Sequence, residues 1–152
     1  MNIIQASVFF EKLLEESENK REIKVYRSFI AILSNLKSRD LTEEELFLIE
    51  NEIKVLNLRS YPKNKRKYFG KKLNVFKAYL KAEFSLISEG YYTSLGMGLG
   101  MCFGVAIGSS LGGSGTSMGI AIGMAIGLVI GRTKDVEAEK QNRVLKTKNT
   151  DF

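Results

Sequence analysis

The chain has 152 residues, 44% of them apolar and 26% charged, with a net charge of +6; this length suits one domain, or one domain plus an anchor. It contains no His, no Trp, one Cys and one Pro, which excludes His-based triads, most metal centres, an intramolecular disulfide and a proline-rich linker. The averages conceal a partition: no charged residue occurs between Gly90 and Gly131, while both flanks are dense in Lys and Glu.

Residues 1–89 read as amphipathic helices. The start Met1-Asn2-Ile3-Ile4 has no basic n-region, so no cleavable signal peptide is expected. A first helix is expected from about Gln5 to Glu16, with Val8, Phe9, Leu13 and Leu14 on its apolar side. A second, from about Lys20 to Leu36, carries Ile23, Tyr26, Phe29, Ile30, Leu33 and Leu36 at helical spacing. The third starts at Thr42. Glu45 stands three residues on, completing a capping box in which hydroxyl and carboxylate each satisfy a free backbone N–H. Leu46, Ile49, Ile53 and Leu56 follow. Pro62 closes a turn, because it lacks an N–H and disfavours helix at Tyr61. A fourth helix is expected from about Lys63 to Ser88, with Phe69, Leu73, Phe76, Leu80, Phe84 and Ile87 on one face. Short loops between such helices imply a small bundle of about 89 residues, whose Phe and Leu stripes form the core.

One basic cluster stands out: Arg59, Lys63, Lys65, Arg66, Lys67, Lys71 and Lys72. Such a cluster suits an anionic surface. No nucleic-acid-binding motif surrounds it, so anionic lipid headgroups are the expected partner rather than nucleic acid. The alternative is a solvated helix start.

The uncharged segment has a regular repeat. Glycine recurs every fourth residue at Gly96, Gly100, Gly104, Gly108 and Gly112, and again at Gly115, Gly119, Gly123, Gly127 and Gly131. Between the series the step drops to three within Gly112-Gly113-Ser114-Gly115, a break made of turn residues. In a water-soluble helix each interior glycine costs roughly 1 kcal/mol relative to Ala, and ten would rival the stability of a whole domain. A strand is excluded by the period of four. In a bilayer the backbone must satisfy itself internally, so helix is enforced, and small residues at this spacing let helices approach closely. All ten glycines are therefore expected helix-packing residues.

A single helix over 90–131 would be about 63 Å long, twice the hydrocarbon thickness. Two spans are expected instead, at about 91–111 and 115–131, the second barely long enough. Tyr91 and Tyr92 suit the membrane interface. Basic residues flank the segment at Lys71, Lys72, Lys77 and Lys81, and at Arg132, Lys134, Lys140, Arg143, Lys146 and Lys148. By the positive-inside rule both termini are expected in the cytoplasm, with the hairpin in the cell (inner) membrane and 132–152 as a polar tail.

These two Gly-x-x-x-Gly series resemble those of small bacterial glycine-zipper transmembrane-hairpin proteins, a class that includes pore-forming members. The likeness covers the last third of the chain and implies a close-packed or self-associating hairpin. The rotary-ATPase c-subunit is also a glycine-rich hairpin, but no Asp or Glu lies between Glu89 and Asp135, so proton translocation is excluded. The run Gly108 to Thr116 has the glycines of a phosphate loop without its Lys or its preceding strand.

The expected fold is thus all-α: an N-terminal amphipathic helical bundle followed by a two-helix glycine-zipper hairpin. No cofactor, metal or catalytic constellation is expected, and an enzyme is not. Two functions are expected to compete. The hairpins self-associate through glycine faces into a homo-oligomer, as a pore or membrane-perturbing effector controlled by the bundle. Alternatively the hairpin only anchors an adaptor whose bundle recruits a cytoplasmic protein partner.

Overall fold

A computed structural model describes residues 1–60, 63–110, 112 and 115–145. Among these the chain is almost wholly helical: α1 (Ile3–Glu15), α2 (Lys20–Lys37), α3 (Glu43–Val55), α4 (Lys65–Phe84), α5 (Tyr91–Ser109) and α6 (Gly115–Lys140). Two short strands, β1 (Ile87–Ser88) and β2 (Val144–Leu145), pair with each other. The described residues divide into two compact units, one of residues 1–87 with Leu145, the other of residues 88–144. The turn expected at Pro62 and the basic residues Lys146 and Lys148 lie outside the described residues.

The helix ends follow from local chemistry. Thr42 caps α3 as expected: its Oγ1 accepts from the Glu45 N–H at 3.3 Å, and the Glu45 carboxylate accepts from the Thr42 N–H at 2.9 Å. A second capping box sits at Asn2 and Gln5, where Asn2 Oδ1 accepts from the Gln5 N–H at 2.7 Å. It starts α1 two residues earlier than the apolar pattern alone indicates. Asn64 caps α4 through the Lys67 N–H at 2.9 Å. The α4 helix stops at Phe84 rather than Ser88, because Ser85 takes a left-handed conformation with φ +54°. Ile87, expected on the α4 face, is buried on β1 instead.

The core of the first unit is aromatic. Phe10 of α1 stacks on Phe29 of α2 at 4.2 Å between ring centroids, and Phe69 of α4 meets Phe10 and Tyr26 edge-on, each at 5.6 Å. Such pairs contribute about 0.5–1.5 kcal/mol each beyond the area they bury. The apolar side of α1 differs from the expected one. It centres on Ile3, Ala6 and Phe10, while Val8 is exposed and Phe9, Leu13 and Leu14 are half-buried. The reason is the position of Phe10, the largest α1 side chain that reaches between α2 and α4. Ile49, Ile53 and Leu56 of the α3 region are buried, but Leu46 is exposed. Polar bonds also hold α3: Glu50 accepts from the Ile3 N–H at 3.4 Å, and Tyr79 donates to the Leu48 carbonyl at 3.4 Å.

The expected tail 132–152 is not one segment. Helix α6 takes its first nine residues, and Leu145 is fully buried in the same core as the N-terminal helices. The pair Val144-Leu145 is isolated among basic and polar residues in sequence, so no apolar periodicity announces it.

Tyr26 is fully buried, and its hydroxyl has no hydrogen-bond partner. Burial pushes its pKa up to about 12, and the Glu22 carboxylate one turn earlier adds to the shift. The raised value means the neutral phenol contributes full stability below pH ~10, its unfolded value. That contribution is lost as pH rises through the folded value. Tyr26→Phe should therefore change stability at pH 7 by no more than about 1 kcal/mol, read from thermal unfolding. The variant should also lose less stability than wild type between pH 10 and 12, as read by circular dichroism.

Candidate functional site

Helices α5 and α6 form an antiparallel hairpin whose backbones approach to the limit that glycine permits. A Cβ built on Gly96 would collide with the carbonyl of Gly127, one on Gly100 with that of Gly123, one on Gly104 with that of Gly119, and one on Gly108 with that of Gly115. The relation is reciprocal, since a Cβ on Gly119, Gly123 or Gly127 would strike Gly104, Gly100 or Gly96 in turn. Gly131 closes the series against the backbone of Tyr92 and Thr93. The structure therefore brings together nine of the ten expected packing glycines within one chain. The tenth, Gly112, does not pack. It lies between the helices with φ +75° and open space around it, and serves the turn. Its neighbours in the register break, Gly113 and Ser114, lie outside the described residues.

The contact is continuous rather than centred on a crossing point. Sequence spacing alone suggests a right-handed crossing where Gly104 and Gly123 matter most. The structure keeps the same closeness from Gly108 at one end to Gly131 at the other. A stripe of period four overshoots the 3.6-residue turn, and two helices winding right-handedly can follow it without parting.

Asp135 completes the stripe. It stands one four-residue step beyond Gly131, and its carboxylate accepts hydrogen bonds from the backbone N–H groups of Tyr92 (2.9 Å) and Thr93 (2.8 Å). These are first-turn donors of α5, which has no cap of its own because Gly90 is its N-cap, with φ +70°. Negative charge there also suits the helix dipole. Sequence reasoning missed this role. The usable signal was that Asp135 continues the spacing of the second glycine series.

The large side chains point outward. Phe103 and Ile107 of α5 and Met118 of α6 are about two-thirds exposed. About a tenth of each helix's most apolar window is buried. Both helices are long and apolar enough to span a membrane. At 1.5 Å per residue α5 is about 28 Å long and α6 about 39 Å, of which the uncharged part, Gly115 to Gly131, accounts for about 26 Å. The single cysteine, Cys102, is on the exposed surface of α5.

The basic cluster gathers around the start of α4. Lys65, Arg66 and Lys67 occupy its first turn, Lys63 precedes it, and Arg59 follows α3. Lys71 is exposed, while the Lys72 ammonium lies 5.4 Å from the Tyr68 ring centroid, a cation–π distance. Positive charge at a helix N-terminus opposes the dipole by roughly 0.3–1 kcal/mol per residue. The helix dipole thus does not favour Lys65, Arg66 and Lys67 where they stand. No group of His, Cys, Asp and Glu among the described residues could hold a metal ion. No protein-family model, curated protein or solved structure matches the chain.

Two substitutions two residues apart test the seam. Gly100→Ala should destabilise the hairpin by about 1–3 kcal/mol, as overpacking does. A Cβ on Gly98 meets nothing within 4 Å, so Gly98→Ala should be silent or mildly stabilising. Thermal unfolding of the full chain in detergent, followed by circular dichroism, reads both. Asp135→Ala removes two first-turn acceptors from α5 and should cost about 1–2 kcal/mol in the same assay, with Asp135→Asn costing less.

Proposed function

We propose that this chain is a small integral membrane protein in which a closed glycine-zipper hairpin anchors a cytoplasmic helical domain. The observation that carries the reading is the outward exposure of nearly every large apolar side chain of α5 and α6. A buried helix of a soluble protein has a covered surface, whereas a helix apolar on all sides and uncovered needs lipid around it. Both spans meet the membrane surface at one level, since Gly131 faces Tyr92 and Arg132 follows directly. The tyrosines and the arginine are side chains suited to that boundary.

Of the two competing functions, the adaptor reading gains. The glycine faces meet inside the hairpin, so they do not supply the surface for self-association. A pore needs a polar path, and the segment 90–131 offers no charged side chain to line one. The helical domain, by contrast, presents Phe47 and Val55 of α3, both about two-thirds exposed. Those side chains suit recruitment of a protein partner. The basic start of α4 fits anionic headgroups of the same membrane, consistent with its unfavourable placement for folding.

Single cysteines in a Cys102→Ala background test the topology. Ser38→Cys and Gln141→Cys should react with a membrane-impermeant maleimide from the cytoplasmic side, and Ser110→Cys from the opposite side. Reaction of all three from one side would refute the two-span anchor. In detergent the full chain should run as a monomer by light scattering. A stable oligomer that survives Phe103→Ala and Ile107→Ala would restore the self-associating reading.

A further inference from the structure

The glycine seam has an open side. Along it runs a groove of about 460 Å³ lined wholly by apolar atoms. The glycines form its floor. One wall is the α5 column Leu99, Phe103 and Ile107, and the other is the α6 column Ile122, Ile126 and Ile130. Each column steps by four residues, as the glycines do. The next α6 position in that column is Lys134, exposed and one turn beyond Ile130. The groove therefore begins beside a cation at the level of the tyrosines and runs between the spans.

We infer that this groove holds one acyl chain of an anionic phospholipid, whose phosphate meets Lys134. The inference rests on the membrane reading above. Three features select this occupant. The groove's 460 Å³ is about three times a 150 Å³ apolar cavity that takes one benzene, which leaves room for roughly 16 to 18 carbons. Its floor from Gly96 to Gly108 extends about 18 Å, so its mean cross-section is about 25 Å², that of a single hydrocarbon chain. The charge at the mouth complements a phosphate, and the wholly apolar lining complements a tail.

The test uses the full chain in phosphatidylcholine vesicles containing a phosphatidylglycerol probe with a photoactivatable diazirine in its acyl chain. After irradiation the labelled positions are mapped by mass spectrometry. Groove-wall residues should be labelled several-fold more than Val105 and Leu128, which lie outside the groove. Ile126→Trp should fill the groove and abolish the excess while leaving helical content unchanged. Lys134→Glu should remove the advantage of the phosphatidylglycerol probe over an equivalent phosphatidylcholine probe. Equal labelling of groove and outer positions would overturn the inference and leave the membrane anchor standing. Protection of the groove from lipid, together with cross-links between two chains at Phe103, would assign it to a second copy and overturn the inference. No labelling anywhere in 91–131 would overturn the membrane reading as well.

Discussion

The structure of the second unit depends on one constraint: two helical backbones lie so close that no side chain fits between them. Every fourth residue at the seam is glycine because a single Cβ would strike the facing carbonyl. Main-chain atoms therefore meet across the seam, and dispersion contacts accumulate along its whole length. The large apolar residues must then go elsewhere, and they do so by covering the outside. A surface of that kind is at home in hydrocarbon, where the hydrophobic effect no longer drives helices together and close packing does. The absence of charge from 90–131 belongs to the same solution.

The ends of the hairpin are secured by different chemistry. At one end Gly112 adopts a left-handed conformation that a side chain would strain. At the other, α6 outruns α5 and brings Asp135 over the α5 N-terminus, where a carboxylate satisfies two backbone N–H groups. The first-turn N–H groups of a helix have no partner within the helix, and this carboxylate supplies one for two of them. One four-residue spacing thus serves both packing and capping.

The helical domain is assembled by ordinary means. Phe10, Tyr26, Phe29, Phe69 and Phe76 interlock across α1, α2 and α4, and side-chain caps start four of its helices. What this core leaves outside is informative. The first-turn cations of α4 and the exposed side chains Phe47 and Val55 of α3 lie outside it.

Much of this was legible in the residues. The all-α class, the four amphipathic helices, the Thr42 capping box and the two glycine series each leave a local, periodic trace, because a helix repeats every 3.6 residues and its caps have fixed offsets. The residues could not say whether the two glycine stripes face each other or a neighbour, since spacing records which side is small and not what meets it. The antiparallel pairing of Gly96 with Gly127 and Gly104 with Gly119 is decided by the turn that folds the hairpin back on itself. Two further features are not announced by any period: Leu145 in the core, and the choice of Phe10 rather than Val8 at the centre of α1. Each depends on which element lies opposite, and that is settled when side chains distant in sequence compete for the same interior volume.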